Sequence, residues 1–168
     1  MNIVDSLKWR YATKKFDSEK IIPEEKINII KEAFNLTATS YGLQPVKLIV
    51  IKNKGLQETL VEHSFNQKQV SQASHVLVFC IERNVDEDYI EKYFNRVKSI
   101  RNTSEEILKP FKEYLIKDFK KQTKKEIRDW GTKQAYLAMG NLLTVCAIEE
   151  IDACPMEGFV PKKYDKIL

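Results

Sequence analysis

Histidine and cysteine are scarce in this sequence, whose 168 residues include two histidines and three cysteines. His63 and His75 do not have metal-ligand spacing, and no Cys-x-x-Cys pair occurs. A structural zinc site needs four such ligands at characteristic intervals, so none is expected. The cysteines, Cys80, Cys146 and Cys154, are odd in number and lie in apolar runs. This usage indicates buried, reduced thiols in a cytoplasmic protein.

Long apolar runs and a recognisable targeting segment are also missing. No stretch of about 20 apolar residues exists, so a membrane-spanning helix is not expected. The first five residues lack the basic region and apolar core of a signal peptide, which favours a cytoplasmic location. No internal repeat, low-complexity tract or Pro/Gly-rich linker divides the chain. Residues 1–168 are therefore predicted to form a single domain.

The excess of basic residues is small, because 28 Lys and Arg against 24 Asp and Glu give a net charge of +4. The two signs are interleaved, as in residues 117–121, which read Lys-Asp-Phe-Lys-Lys. A nucleic-acid-binding surface needs basic residues segregated on one side. The pattern here is more typical of a solvated surface, and nucleic acid is not expected as a partner.

Apolar residues at helical spacing, together with short apolar runs, predict an α+β or three-layer α/β domain. Helices are predicted over 2–10, from 23 onward, over 56–62, over 86–100 and from 103 to about 122, and strands over 46–51 and 75–81. Residues 103–106 have the pattern of a capping box. Pro110 is expected to interrupt the helix that this box begins.

Residues 129–159 are the stretch around which the chain is predicted to be organised. Within 135–148 the only polar side chains are Asn141 and Thr144. A helix that is apolar on nearly every face must be covered all round, either by its own domain or by a second copy of the chain. Gly140 would allow another backbone to approach at mid-helix. The residues alone leave both alternatives open.

A short apolar run and a turn follow this helix. Residues 151–154 are predicted to form a buried strand, and residues 155–159 read Pro-Met-Glu-Gly-Phe. Gly158, which follows Glu157, allows close backbone approach at the end of that strand. The approaching group could be more protein or a ligand.

Five segments of the chain, taken together, resemble the FMN-dependent nitroreductase family. They occur in the order and spacing of that family, and they are residues 10–16, 39–45, 66–69 with 73–75, 134–143 and 155–159. The resemblance is greatest to the branch of bacterial oxygen-insensitive NAD(P)H nitroreductases and dihydropteridine reductases. It covers essentially the whole chain.

This resemblance implies a fold and an activity. The fold would be α+β, with three layers, a mostly antiparallel central sheet flanked by helices, and a long buried helix in the core of a homodimer. Two FMN sites would lie in the subunit interface. NAD(P)H would reduce the flavin, leave, and be replaced by a nitroaromatic or quinone that takes two electrons. The flavin carries this chemistry, so no catalytic side chain is expected.

The resemblance also implies a set of cofactor-binding residues, which are Arg10, Tyr11, Ala12, Lys14, Thr39, Ser40, Gly42, Gln44, Asn66, Gln69, Pro155, Glu157 and Gly158. Arg10 would bind the phosphate and ribityl end, where a planar guanidinium suits the phosphate oxygens. Lys14 would stabilise negative charge at the N1 and O2 edge of the flavin. The alternatives are a surface ion pair for Arg10 and a solvated lysine beside Lys15.

Thr39, Ser40 and Gly42 match a loop that reaches the flavin from the other subunit. The family commonly has Asn at the position of Gly42, so one side-chain contact would be missing. An ordinary turn is the alternative interpretation of this loop.

Two further segments would contact the ring system. Asn66 would pair with N3 and O4 of the flavin. Glu157 and Gly158 would present backbone N–H groups to N5. Gln69 occupies a position where several relatives have Lys, which predicts a lower flavin potential and a rise in the Gln69→Lys variant. A surface glutamine and a turn without ligand are the alternatives.

The chain departs from the family pattern at its C-terminus. It ends at Leu168, before the family's basic pair and C-terminal arm, and Lys162, Lys163 and Lys166 do not match that pair. A charge-assisted hydrogen bond contributes roughly 1.5–3 kcal/mol, so weaker flavin binding is expected without the basic pair. The alternative function is therefore a dimeric scaffold that holds flavin weakly or not at all.

Overall fold

The computed structural model describes residues 2–168, which form eight α-helices, two short 3-10 helices (Ser40–Gly42 and Glu62–Ser64) and one two-stranded sheet. The helices are α1 (Ile3–Trp9), α2 (Glu24–Asn35), α3 (Lys54–Val61), α4 (Gln69–Gln72), α5 (Glu87–Arg101), α6 (Glu105–Phe119), α7 (Lys124–Ile148) and α8 (Pro161–Ile167). The strands are β1 (Val46–Ile51) and β2 (Val76–Ile81). Glu82 N, just after β2, donates to Pro45 O, just before β1, at 2.9 Å, so the strands run antiparallel. Among residues 2–168, no helix combines the length and apolarity needed to cross a membrane.

Short polar side chains at the helix starts explain where several helices begin. Asn2 Oδ1 accepts hydrogen bonds from the backbone N–H groups of Val4 and Asp5 at the start of α1, both at 3.0 Å. Asp86 Oδ1 accepts from Tyr89 N at 3.0 Å at the start of α5. Such caps satisfy N–H groups that have no partner inside the helix. The predicted helices over 2–10 and 86–100 and both predicted strands are observed to within about a residue or two.

The predicted capping box at residues 103–106 is wrong. Ser104 is the N-cap of α6, yet its side chain caps no backbone N–H and lies 3.5 Å from the Glu106 carboxylate instead. Pro110 does not interrupt α6, which continues to Phe119. The reciprocal box occurs at the start of α7. There Thr123 N donates to Glu126 Oε2 at 2.7 Å, and Glu126 N donates to Thr123 Oγ1 at 3.2 Å.

The predicted strand over 151–154 is reduced to one isolated parallel bridge between Ala12 and Ala153. Three of its four residues are apolar, but Asp152 interrupts the run, and its partner segment pairs with it at a single position. Two short helices, α4 and α8, are not predicted by the sequence pattern, because neither contains a full period of apolar residues.

Contacts between Cα atoms divide the described chain into two compact units. Unit 1 comprises residues 2–37, 48–79 and 138–168, and unit 2 comprises 38–47 and 80–137. Unit 1 contains two apolar clusters, one around Ile27 and Leu142 and one around Leu60. Unit 2 has one cluster, around Ile90 and Leu115. The assignment of residues 1–168 to a single domain stays a prediction.

Helix α7 has one covered face and one exposed face. Ala138, Leu142 and Cys146 are buried on the first. On the other, Leu137 is 55% and Ile148 48% exposed, and a Cβ built on Gly140 meets no atom within 4 Å. The alternative in which its own domain covers this helix all round is therefore wrong for that face.

Asn141, one of the two polar residues in the apolar part of α7, has a structural partner in unit 1. Its Nδ2 donates to Ala33 O at 3.0 Å and to Thr37 Oγ1 at 2.9 Å, at the end of α2. Buried amides need such partners, since an unpaired one costs free energy on folding. Asn141 therefore links α7 to the end of α2, which explains this polar residue without a ligand.

Candidate functional site

Three of the predicted site segments meet in unit 1. Residues 10–14 run beside residues 152–154, where Ala12 bridges Ala153 and Thr13 N donates to Ala153 O at 3.3 Å. Residues 66–69 contact the turn at 155–159 through one hydrogen bond, from Gln67 Nε2 to Gly158 O. The turn is therefore flanked by both of the other segments.

The basic segment is anchored through Thr13. This residue is 5% exposed, and its Oγ1 donates to Asp152 Oδ1 at 3.1 Å. With Thr13 turned inward, Lys14 is exposed and its Nζ lies 3.5 Å from Cys154 Sγ. Arg10 is half-buried where α1 ends. Two cations are thus held within four positions of one another, on either side of a fixed residue.

Residues 65 and 66 form a turn with an unusual backbone. Phe65 has φ 52° and Asn66 has φ 57°, so two consecutive non-glycine residues are left-handed. This conformation costs roughly 1–2 kcal/mol per residue and needs outside support. Asn66 N donates to Val61 O, and Gln67 N donates to Ser64 O, both at 3.1 Å. The exposed Asn66 side chain projects from this supported turn.

Gln67 and Gln69 form a chain of amides behind the turn. Gln67 Nε2 donates to Gly158 O at 2.9 Å and to Ser64 O at 3.1 Å. Gln69 Nε2 donates to Gln67 Oε1 at 3.1 Å, and Gln69 is only 8% exposed. The Gln69 amide is therefore engaged inside the protein, while its contact with a flavin stays a prediction.

The turn at 155–158 carries the glycine predicted to approach a ligand. Phe159 N donates to Glu157 O at 2.9 Å, and the N–H of Gly158 donates to no backbone carbonyl among residues 2–168. A Cβ built on Gly158 would lie 2.8 Å from Gln67 Nε2 and 3.4 Å from Phe65 Cδ2. Close packing behind the turn therefore favours glycine here, because a Cβ would displace the end of the Gln67 side chain.

The remaining predicted site residues lie in unit 2, on the loop at 39–44. Ser40 N donates to Gln134 Oε1 at 2.8 Å, and Gln44 N donates to Thr39 Oγ1 at 3.0 Å. Gly42 has φ 70°, and a Cβ built there would lie 2.7 Å from Tyr93 Oη. Asparagine tolerates this left-handed backbone, so it is the contact with Tyr93 that favours glycine where the family commonly has asparagine.

Tyr89 holds the end of the same loop. Its hydroxyl oxygen lies 2.8 Å from Leu43 O and 3.0 Å from Gln44 O, and these two carbonyls share its one donor hydrogen. Burial raises the pKa of Tyr89 to about 12. The tyrosine therefore stays protonated at physiological pH, and its one hydrogen remains available to these carbonyls.

Backbone strain is concentrated in the candidate segments. Six non-glycine residues of the described chain have positive φ, and four of them, Tyr41, Gln44, Phe65 and Asn66, lie in or beside these segments. Such conformations cluster at functional sites, where the surrounding structure maintains them. The clustering supports the view that these loops bind a ligand.

A family model described as the Nitroreductase family matches residues 7–168. The chain belongs to the nitroreductase family. This membership confirms the resemblance, and it confirms a nitroreductase-type oxidoreductase at the level of the family.

Relatives and solved structures agree with this assignment. A Staphylococcus epidermidis protein, provisionally named an NAD(P)H nitroreductase, is 36% identical over 174 residues, which cover 99% of this chain and 77% of the relative. The structure of a provisional NAD(P)H:FMN oxidoreductase from Staphylococcus epidermidis has a TM-score of 0.86 at 19% identity, covering 99% and 78% of the two chains. A nitroreductase from Exiguobacterium sibiricum, solved in complex with FMN, has a TM-score of 0.84 at 18% identity, covering 99% and 80%. These similarities confirm the α+β nitroreductase fold.

In this member of the family, several residues of the site are not apparent from the sequence. Thr13 and Asp152 anchor the basic segment, and Gln67 contacts Gly158 across 91 positions of the chain. Gln67 lies within a segment that resembles the family, but its amide partner could not be read from local pattern. No cluster of three or more His, Cys, Asp or Glu that could hold a metal occurs among residues 2–168.

Tyr11, Ala12 and Pro155 complete the predicted set. Tyr11 is 63% exposed, Ala12 forms the bridge to Ala153, and Pro155 is exposed at the turn. All three belong to the segments that meet in unit 1. A role for each in binding a cofactor stays a prediction.

Proposed function

We propose that this chain is an FMN-dependent oxidoreductase, which takes hydride from NAD(P)H and passes two electrons to a nitroaromatic or quinone in a ping-pong cycle. The observation that supports this most is that Ala12 and Lys14 contact Ala153 and Cys154, directly before the turn at 155–158, while Gln67 contacts Gly158 within it. When bound, FMN supplies the hydride chemistry, and the protein supplies placement and electrostatics.

The residues present fit this cofactor chemically. Arg10 and Lys14 provide cations for a phosphate and for the negative charge of a reduced ring. The exposed Asn66 amide can both donate and accept, as the pyrimidine edge of a flavin requires. The N–H of Gly158 provides a backbone donor at a point where glycine permits close approach. No residue need act as an acid or base, since protons can come from solvent.

A homodimer completes the proposal. The exposed face of α7, defined by Leu137, Gly140 and Ile148, is apolar and has room beside the glycine for a second backbone. A second copy of the chain would remove these side chains from water, which is favourable in proportion to the apolar area buried. The loop at 39–44 would then reach the cofactor of the partner subunit, as the resemblance implies. A cytoplasmic location is part of the same proposal.

The visible spectrum of the purified protein tests the proposal. We expect flavin absorbance near ~450 nm that is bleached by NADPH under argon, because the bound cofactor supplies the redox chemistry. The Lys14→Gln variant should have a lower flavin midpoint potential, since a cation beside the reduced ring is removed. Lys15→Gln is the matched control, because Lys15 is an exposed neighbour outside the predicted set.

One result would contradict the proposal directly. A protein that stays colourless after FMN addition and dialysis would support the alternative, a dimeric scaffold that holds no flavin. Equal midpoint potentials for the two lysine variants would remove the role proposed for Lys14 alone.

A further inference from the structure

We propose that Gln67 is a positioning residue of this site, which fixes the Gly158 turn against the Asn66 turn, and this inference rests on the proposed function. Gln67 itself is not assigned to cofactor contact. It acts through Gly158, whose backbone N–H is the donor proposed to meet the flavin.

The Gln67 amide is fully engaged by the two turns and by Gln69. Its two N–H hydrogens go to Gly158 O and Ser64 O, at 2.9 and 3.1 Å. Its oxygen accepts from Gln69 Nε2 at 3.1 Å. The carbonyls of Gly158 and Ser64 can only accept hydrogen bonds, so the Gln67 amide has one orientation that satisfies all three partners. The two carbonyls therefore fix the orientation of the Gln67 amide, and Gln69 supports it from behind.

Glycine at 158 makes such a restraint necessary. Glycine has more backbone freedom than any other residue, so an isolated Gly158 would sample many orientations of its N–H. Gln67 holds the Gly158 carbonyl on one side of the turn, and His63 O accepts from Val160 N at 2.9 Å two residues later. The turn is fixed at both points to the segment that carries Asn66.

This arrangement relates two donor groups that are distant in sequence. Asn66 is adjacent to Gln67, and Gly158 is hydrogen bonded to it, so the Gln67 side chain directly connects the two donor groups. Preorganised donors stabilise charge without reorganising during the reaction. A loosened Gly158 turn should therefore slow hydride transfer more than it weakens dinucleotide binding.

The Gln67→Met variant tests the inference, because methionine keeps the length and approximate volume but lacks both donors. In cofactor-free protein, we expect hydrogen exchange of the backbone amides in 155–160 to accelerate about fivefold, the effect of removing one ordinary hydrogen bond. In FMN-loaded protein, stopped-flow measurement should show a lower limiting rate of flavin reduction, with an unchanged dissociation constant for NADPH. Substitution of a residue that merely maintains the fold would not lower the rate of flavin reduction while leaving the dissociation constant for NADPH unchanged.

Gln72→Met is the matched control, since Gln72 is a half-buried glutamine on the adjacent helix α4. It should leave both readouts unchanged. Should Gln67→Met fail to fold, Gln69→Met keeps both Gln67 donors and removes only their supporting partner, and a smaller acceleration in 155–160 is expected. If a folded, FMN-binding variant had exchange and reduction rates equal to those of wild type, this inference would be overturned but the proposed function would not. A wild type that takes up no FMN would overturn the proposed function and the flavin role of Gln67 with it.

Discussion

Single residues of one type occupy different environments in this protein, as its free cysteines illustrate. Cys146 is buried, and burial raises the pKa of its thiol to about 11. Cys154 is half-buried, with Lys14 Nζ at 3.5 Å. The prediction that all three thiols are buried holds for Cys146, whereas Cys80 and Cys154 are only partly covered.

These environments predict an order of alkylation. Because the thiolate is the reactive form, iodoacetamide should modify Cys154 in the native protein while Cys146 stays unmodified until the protein unfolds. Peptide mass spectrometry over a time course measures both rates. The Cys154→Ser variant is the control for peptide assignment. Modification of Cys146 at the rate of Cys154 would mean that the native chain opens around α7.

His75 makes stability depend on pH. Burial, and then the charge of Lys52, lower the pKa of His75 below its usual value of 6.5. The unfolded chain therefore binds the proton more readily than the folded chain does. Neutral His75 is compatible with the folded state above about pH 6.5, and stability is lost as the pH falls below this value. Urea midpoints at about pH 7.5 and about pH 5.5 should differ less in His75→Gln than in wild type. An identical difference in both proteins would show that other groups account for the whole effect.

At the scale of elements, the two Thr-x-x-Glu segments provide an internal comparison. Thr123 and Glu126 exchange hydrogen bonds at the start of α7, whereas the Ser104 side chain caps no N–H at the start of α6. Thr123→Ala should therefore lower the free energy of unfolding by about 1 kcal/mol, as measured by urea denaturation.

Ser104→Ala is the matched control for that measurement. It should change the free energy of unfolding by less than about 0.5 kcal/mol, because no cap hydrogen bond is removed. Equal decreases in both variants would mean that Ser104 caps α6 in solution.

Elements with a long apolar period could be predicted, and those that depend on a partner could not. Both strands and helix α5 follow directly from apolar spacing. The segment at 151–154, which is apolar except for Asp152, makes only the bridge at Ala153, because strand formation needs an adjacent segment that stays in register. Likewise, local sequence could not distinguish the capping box at Thr123 from the similar pattern at Thr103.

At the candidate site, too, some features could be predicted from the sequence and others could not. The resemblance identifies all the segments that meet in unit 1, because each contains a recognisable run of residues. It does not identify Gln67 or Thr13 as the residues that connect them, since both side chains join parts of the chain separated by many positions. The resemblance places Gln69 beside a flavin, and in the structure the Gln69 amide supports Gln67.

At the scale of the whole molecule, the exposed face of α7 should determine the state of assembly. Leu137→Lys places a charge in the centre of the proposed dimer interface, where burying an unpaired ammonium is costly. Light scattering coupled to size exclusion should report a monomer for this variant and a dimer for wild type. The monomer should also release FMN, because the proposed site needs the loop at 39–44 from the partner.

Ile107→Lys is the matched control for the assembly experiment. Ile107 is 71% exposed on α6, more than Leu137, but it does not lie on the exposed face of α7. The control should remain dimeric and yellow. A dimeric Leu137→Lys protein would place the subunit contact elsewhere and contradict this part of the proposal.

The close approach of Gly42 to Tyr93 has an evolutionary consequence. A Cβ at position 42 would lie 2.7 Å from the Tyr93 hydroxyl oxygen, so side chains at 42 and 93 compete for the same space. Substitutions at 42 and 93 should therefore be correlated among homologues, with asparagine at the first accompanied by a shorter side chain at the second. A protein engineer who wishes to restore asparagine here would need to exchange the pair, not the single residue.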